Sequence, residues 1–273
     1  MTELPKLITF DGEARSGKGT IVQTTKDVLR DELGYKTMLI DAGQVFRCLV
    51  VAAVNAEIDL ENPDAIDAFL SDEDSAHACV EFVKLVYHMD KDQRDALLYT
   101  NEVGANSAKI GARPLSQSFK DELLRKWLHD AAKEGYEVVL LDGRALEETG
   151  IALQREKLCQ FVMGLYFVCD PVVGARRTLG FAGTEYEDLT DDEKAQVDEL
   201  VAQINARNEA DRGRKVQPIV RPEGAPVFVL PNTDAFASNT GRYMATIDTS
   251  GNMTKEEMSL PVAQMVAEQL KNV

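Results

Sequence analysis

Gly12-Glu13-Ala14-Arg15-Ser16-Gly17-Lys18-Gly19-Thr20 is the stretch whose reading decides the fold. Its spacing is G-x₄-G-K, with Gly-Thr following the lysine where Ser or Thr more often stands directly after it. Glycines at this spacing let backbone N–H groups turn inward around phosphate oxygens, and a helix that follows offers its positive N-terminus to the same anion. The flanks have the required character. Leu7-Ile8-Thr9-Phe10 is a short apolar run ending in Asp11-Gly12, which predicts a buried strand. From Lys18 to Leu33, apolar Ile21, Val22, Val28, Leu29 and Leu33 recur at helical spacing, and Gly34 follows as a C-cap. Strand, glycine loop and helix together assign Gly12, Ser16, Gly17, Lys18, Gly19 and Thr20 to the phosphates of a nucleotide, a feature that GTPases, ATPases and small-molecule kinases share. Lys18 reaches the β and γ phosphates. The Thr20 hydroxyl, with Gly19 as the other candidate position, ligates Mg²⁺.

Outward from that loop the same alternation continues. Met38-Leu39-Ile40 predicts a second strand, and Phe119 to Glu134 a helix whose Phe119, Leu123, Trp127 and Ala131 share one face before Gly135. Val138 to Leu141 predicts a strand ending at Asp142-Gly143. Leu165 to Val168 predicts another, followed by Asp170-Pro171 as a helix N-cap and N1 pair. A last strand is expected at Met244 to Ile247, before a terminal helix from about Lys255. Strands alternating with helices imply an α/β chain with a mostly parallel sheet covered on both faces. Arg221 to Arg242, rich in Pro, Asn, Thr and Gly, predicts a loop, with Val227 to Leu230 as a small extra strand.

Composition excludes some partners. A formal charge of −16 argues against a polynucleotide, whose binding relies on many cationic contacts to phosphate. It leaves room for a small nucleotide, for which a few placed arginines suffice. Glu57 to Asp74 carries eight acids and no Lys or Arg, whereas Arg207 to Arg221 carries five basic residues against Glu209 and Asp211. No run approaches the roughly 20 apolar residues that span a bilayer, and Met1 to Lys6 lacks the layout of a signal peptide. The expectation is a cytoplasmic monomer that acts on small-molecule nucleotides, away from membranes. Cys48, Cys79, Cys159 and Cys169 are scattered and predict reduced structural thiols; His77, His88 and His129 predict structural or surface roles.

Two further patterns carry chemistry. Asp142 closes a strand, where sites of open α/β sheets assemble, and can hold Mg²⁺ through water. Val197, Leu200, Val201 and Ile204 form an apolar stripe, so a helix runs toward Arg207. If it continues, Arg207, Asp211 and Arg214 fall at i, i+4 and i+7 on one face, two cations and a carboxylate together.

With these residues in place, the chain resembles the cytidylate kinase family in five blocks that keep their order over most of its length. They are Leu7 to Thr20, Asp41-Ala-Gly43-Gln-Val-Phe46-Arg47, Thr100-Asn-Glu102-Val103, Asp142-Gly143-Arg144, and Arg207-Asn-Glu-Ala-Asp211-Arg212-Gly-Arg214. The resemblance implies a P-loop NTPase three-layer sandwich with an acceptor-binding insertion and a helical lid. It implies core at 1–43, the insertion at 44–114, core at 115–178, the lid at 179–214, and core completion at 215–273 with an extra loop at 221–242. Insertion and lid would move to close the acceptor site. The implied activity is transfer of the terminal phosphoryl of ATP, with Mg²⁺, to a nucleoside monophosphate, CMP or dCMP. Arg47 and Arg144 would clamp the acceptor's phosphate. Arg207 and Asp211 would contact its sugar and phosphate region, Arg214 its base, and Lys120 would stand where an arginine touches cytosine. Arg212 would face ATP phosphates, and one of Arg176 and Arg177, with Arg177 favoured, would stabilise the transferring group.

The sequence also departs from the family pattern. Ala42 replaces a Ser or Thr, Phe46 a tyrosine, Tyr99 an arginine and Ala145 an acid, and Ala108 stands where a hydroxyl residue is expected, next to Ser107. Most of these positions face the acceptor, so two other readings stay open: a P-loop kinase for another nucleotide or small metabolite, and a kinase-like protein that binds nucleotide without turnover. A GTPase is disfavoured, since the chain lacks a convincing N-K-x-D base-reading element.

Overall fold

A computed structural model describes residues 3–214 and 218–273 of the chain. Lys215 of the basic stretch, the first residues of the expected segment 215–273, and Met1-Thr2 lie outside the described residues.

Along the chain, β1 (Lys6–Gly12) leads through the glycine loop to α1 (Lys18–Asp27), and β2 (Thr37–Asp41) follows. Six helices come next: α2 (Ala42–Asn55), α3 (Pro63–Ser71), α4 (Glu73–Tyr87), α5 (Lys91–Leu98), α6 (Asn101–Gly111) and α7 (Pro114–Glu134). Then come β3 (Val138–Asp142), α8 (Leu146–Arg155), β4 (Gln160–Val168), α9 (Pro171–Leu179) and α10 (Asp191–Arg212). The chain closes with β5 (Val227–Val229), β6 (Tyr243–Asp248) and α11 (Lys255–Lys271).

The strands form one six-stranded all-parallel sheet in the order β2-β3-β1-β4-β6-β5. Its centre, β1, is buried on both faces and reads as a near-continuous apolar run, as parallel strands covered by helices do. Ile8 and Phe10 point into the main core with Ile21, Val22 and Leu29 of the α1 region and Val262 and Val266 of α11. α8 contacts both β1 and β4. The chain divides into two compact units, Met1–Ile40 with Leu128–Val273, and Asp41–Trp127. The second has its own apolar interior, in which Val45, Cys48, Leu49 and Val50 of α2 meet Val83 and Cys79 of α4 and Ile110 of α6.

Some boundaries differ from the sequence expectation. The helix after the loop stops at Asp27, and Val28–Glu32 continues as a wider π turn before Gly34 at φ 75°. β4 starts at Gln160, five residues before the predicted strand, because Phe161, Val162 and Met163 are also fully enclosed. Residues 221–242 are built into the fold: Phe228 and Leu230 belong to the main core, and Phe236 packs edge-on against Phe228 and Tyr243. Gln269 of α11 fastens the same segment by donating to the carbonyls of Asn239 and Gly241. This segment therefore covers the β6 side of the sheet. His77, His88 and His129 are exposed and the four cysteines are buried and free. Burial pushes the Cys48 and Cys159 thiols up to about 12, so neither presents a thiolate at neutral pH.

Candidate active site

Helix N-termini sort into two kinds here. α10 and α11 each open with a complete capping box, Thr190 with Glu193 and Thr254 with Glu257, and Asp41, Asp72, Thr100 and Asp170 cap α2, α4, α6 and α9. A side-chain cap contributes about 1 kcal/mol, and α5 and α8, which lack one, carry acids in their first turns. α1 has none: Gly17 stands at its N-cap in the left-handed region at φ 78°, with no side-chain hydrogen bond and no acid in the first turn. A bare helix N-terminus fronted by a glycine loop fits an anion such as a nucleotide's phosphates.

The loop is held by what surrounds it. A Cβ on Gly12 would lie 2.3 Å from the Phe167 carbonyl oxygen and 2.6 Å from its nitrogen, so β4 can approach only a glycine there. Glu13 donates its N–H to the Phe167 carbonyl at 2.9 Å. Ser16 is buried; its Oγ donates to the Glu13 carbonyl and its own carbonyl accepts from Thr249 Oγ1, each at 2.9 Å. Gly19 is open to solvent, and Thr20 is half-buried in the first turn of α1.

At the C-terminal ends of β1 and β3 the charged groups converge. Lys18 Nζ makes an ion pair with Asp142 Oδ1, both side chains mostly buried. Asp11, which the sequence reading passed over as a strand end, accepts from Gly12 N at 2.6 Å and from Leu146 N at 3.0 Å. Burial pushes its carboxyl above its ordinary range; the two backbone donors, Lys18 and Arg144 act in the opposite direction. It ties the start of the loop to the start of α8, where Ala145 sits at φ 55°. The buried-strand pattern hid it, since an acid one residue before a glycine reads equally well as a turn.

The last turns of α10 meet this cluster. Asp211, 3 % exposed, is surrounded by arginines: Arg144 Nη1 at 2.5 Å, Arg214 Nη2 at 2.5 Å and Arg207 Nε at 4.0 Å. Arg144 also donates to the Gly12 carbonyl at 3.3 Å. Arg212 Nη2 lies 3.0 Å from Glu13 Oε1, so this arginine rests on the glycine loop itself. The expected single helical face needs correction, because α10 ends at Arg212 and Arg214 reaches Asp211 from beyond Gly213. Arg177 is tied to the Gly251 carbonyl and lies 3.8 Å from Cys169 Sγ and 3.9 Å from Met258 Sδ. Arg176 is buried and paired with Glu185 at 2.9 Å.

Within the unit 41–127, Arg47 Nη1 donates to the Leu98 carbonyl at 2.8 Å and its guanidinium lies 4.6 Å from the centre of the Tyr99 ring. The Tyr99 hydroxyl donates to Asp41 Oδ2 at 3.1 Å, while Asp41 Oδ1 caps α2 by accepting from Gln44 N at 3.0 Å. The Tyr87 hydroxyl accepts from Asp41 N at 3.0 Å. Burial and the Asp41 charge push both phenols up, so both stay protonated. Lys120 is 2 % exposed and pairs with Asp121 Oδ1 at 2.9 Å; burial lowers its ammonium below the usual range. Phe46 packs in the apolar cluster against Gly111 and Ala42 is buried at the start of α2. Ser107 spends its hydroxyl on the Gly104 carbonyl at 2.8 Å.

Among the described residues there is no cluster of His, Cys, Asp and Glu suited to hold a metal by itself, and no helix is long and apolar enough to cross a membrane. Thr20 and Asp142 are hard oxygen donors at the loop, of the kind that suits Mg²⁺ shared with phosphate oxygens.

A parallel sheet whose first strand runs through a glycine loop into an uncapped helix, with Lys18 and Asp142 meeting beside it, defines a nucleotide-binding protein of the P-loop kinase class. Comparison with known proteins narrows the class. The "Cytidylate kinase" family model matches residues 8–235. The chain is similar to the cytidylate kinase of Shewanella pealeana, at 27% identity over 241 residues, 85% of this chain and 90% of that one. It is equally similar to the cytidylate kinase of Shewanella sp. strain W3-18-1, at 27% identity over 270 residues, 95% and 94% of the two chains. The chain belongs to the cytidylate kinase family, and so to the nucleoside monophosphate kinases, which use ATP.

Proposed function

We propose that this chain transfers the γ-phosphoryl group of ATP to CMP or dCMP, giving ADP and the cytidine diphosphate. The observation that carries the reading is the meeting of Lys18, Asp142, Arg144 and Asp211 around an uncapped glycine loop, in a chain of this family. An oxygen of the acceptor's phosphate attacks the γ-phosphorus as the bond to the β–γ bridging oxygen breaks. The attacking phosphate oxygen is already anionic at neutral pH, so no protein base is required, and the bridging oxygen leaves on ADP. Catalysis then consists of alignment and of cations around the migrating group.

Each residue's part follows from its present partner. Lys18 exchanges the Asp142 carboxylate for the β and γ phosphates, and the backbone N–H groups at the start of α1 hold the same anion. Mg²⁺ would be held by Thr20 and, through water, by Asp142, and when bound it neutralises charge on the β and γ oxygens. Arg144 exchanges Asp211 for the acceptor's phosphate. Asp211, once released, accepts from a sugar hydroxyl, with Arg207 and Arg214 beside it. Arg212 turns from Glu13 toward ATP. Arg177, anchored at Gly251, would reach the transferring group only by leaving that carbonyl, so it contributes less than the others. Arg47 is assigned to the acceptor's phosphate and Lys120 to its base. We further assign the acceptor-binding role to residues 44–114 and the lid to 179–214.

A second reading keeps the chemistry and changes the acceptor. It is favoured by Tyr99, whose ring lies over Arg47 where the family pattern places another arginine. The test is ADP formation from ATP and Mg²⁺ with each of CMP, dCMP, UMP, AMP, GMP and dTMP. Turnover confined to CMP and dCMP supports the first reading; turnover with another monophosphate alone reassigns the acceptor.

A further inference from the structure

Three contacts join the end of α10 to the phosphate loop and its neighbours, and they differ in kind. Asp211 with Arg144 and Arg212 with Glu13 are ion pairs, and Arg212 is half exposed. The third is neutral. Asn208 Oδ1 accepts the backbone N–H of Ala14 at 2.8 Å, and the Asn208 side chain is 4 % exposed. Ala14 itself is buried in an apolar cluster with Ala175, Leu189, Val197 and Ile204, so its N–H has no access to water and needs an acceptor from the protein.

Ile204, Asn208, Asp211 and Arg212 stand at i, i+4, i+7 and i+8, one face of the helix. Arriving phosphates compete for the two ion pairs, because ATP offers Arg212, and the acceptor's phosphate offers Arg144, a stronger anion than Glu13 and Asp211. They do not compete for a buried amide hydrogen bond. Of the three, only the Asn208 contact can persist while the arginines change partners.

We propose that Asn208 is a positioning residue for phosphoryl transfer: it registers the arginine-bearing end of α10 on the phosphate loop, so that Arg212 moves from Glu13 to ATP without losing its place. This rests on the ATP-dependent reading above. The choice of residue fits the task. Leucine would leave the Ala14 N–H buried and unpaired, and aspartate would add a second negative charge to a loop that already carries Glu13 and must receive phosphate.

The test is a double-mutant cycle on the full chain, Asn208→Leu with Arg212→Ala, read by calorimetric titration of Mg·ATP and kept apart from turnover. Arg212→Ala is expected to weaken ATP binding about 10-fold with Asn208 present and less than about 3-fold in the Asn208→Leu background, a coupling of neighbouring groups. Equal weakening in both backgrounds overturns the proposal and leaves Asn208 a packing residue. Asn208→Asp keeps the acceptor oxygen. It is expected to restore the kcat lost in Asn208→Leu while raising KM for ATP several-fold, a split that loss of stability alone does not produce. Should Asn208→Asp lose as much kcat as Asn208→Leu, the hydrogen bond is not what positions the helix. Absence of turnover in the unaltered protein would count against the phosphoryl-transfer reading, while the ATP cycle would still decide the role of Asn208.

Discussion

The phosphate loop and the unit 41–127 hold their functional cations in different ways. Around the loop, Lys18, Arg144 and Arg212 each rest on a carboxylate, Asp142, Asp211 and Glu13. In the other unit Arg47 rests on the Leu98 carbonyl and the face of Tyr99, and Asp41 is occupied by Tyr99 and by the cap of α2. Carboxylates keep cations in place, and a more highly charged phosphate can displace them. A carbonyl and a ring fix one arginine's direction, with no carboxylate among the described residues on it to be displaced. Most departures from the family pattern fall on the second side (Ala42, Phe46, Tyr99, Ala108), with Ala145 on the loop side, while the lysine and arginines of the loop side are retained. Under the proposed function the loop side serves transfer and the other side serves acceptor choice, so the two are expected to respond separately to substitution.

The largest expected effect breaks the loop side. Lys18→Ala should lower kcat by about 10²–10³-fold, the scale of removing one preorganised electrostatic stabiliser, with the fold unchanged by circular dichroism. Arg47→Ala should raise the acceptor's KM by about 10-fold or more and leave ATP affinity within about twofold, since a charge-assisted phosphate contact is lost on one side only. Equal losses toward ATP and acceptor would erase the distinction between the sides. Tyr99→Phe should change the acceptor's KM by less than about threefold, because the hydroxyl bond to half-exposed Asp41 contributes little while the ring over Arg47 remains. The smallest effect is on stability. Burial holds the Lys120 ammonium below its usual 10.5, so the unfolded chain binds more protons between the lowered value and 10.5. Lys120 therefore costs stability below that window, and the cost is relieved as pH rises through it. Lys120→Met should flatten this part of the pH dependence of thermal unfolding.

How far the sequence disclosed this arrangement depended on distance along the chain. The strand, loop and helix from Leu7 to Leu33 were legible because apolar period and glycine spacing are local, and so was Asp170-Pro171 as a helix start. Asp142-Gly143-Arg144 was legible as a strand end. What joins these pieces was not. Asp11 to Leu146, Ala14 to Asn208 and Glu13 to Arg212 bridge 135, 194 and 199 positions, and side chains that meet across a sheet leave no local period. Arg214 was placed on a helix that stops two residues earlier, since the spacing i, i+4, i+7 cannot show where Gly213 ends it. The segment 221–242 looked like a loop because only Val227–Val229 pairs as a strand, while Phe236 and Tyr243 reveal their packing only in three dimensions.

The most direct measurement is transfer of label from [γ-³²P]ATP to CMP by the unaltered protein beside Lys18→Ala. Labelled cytidine diphosphate from the former and a loss of at least about 10²-fold in the latter is the predicted result. Unlabelled CMP after full incubation, in a protein shown to bind ATP, would contradict the proposed transfer to CMP.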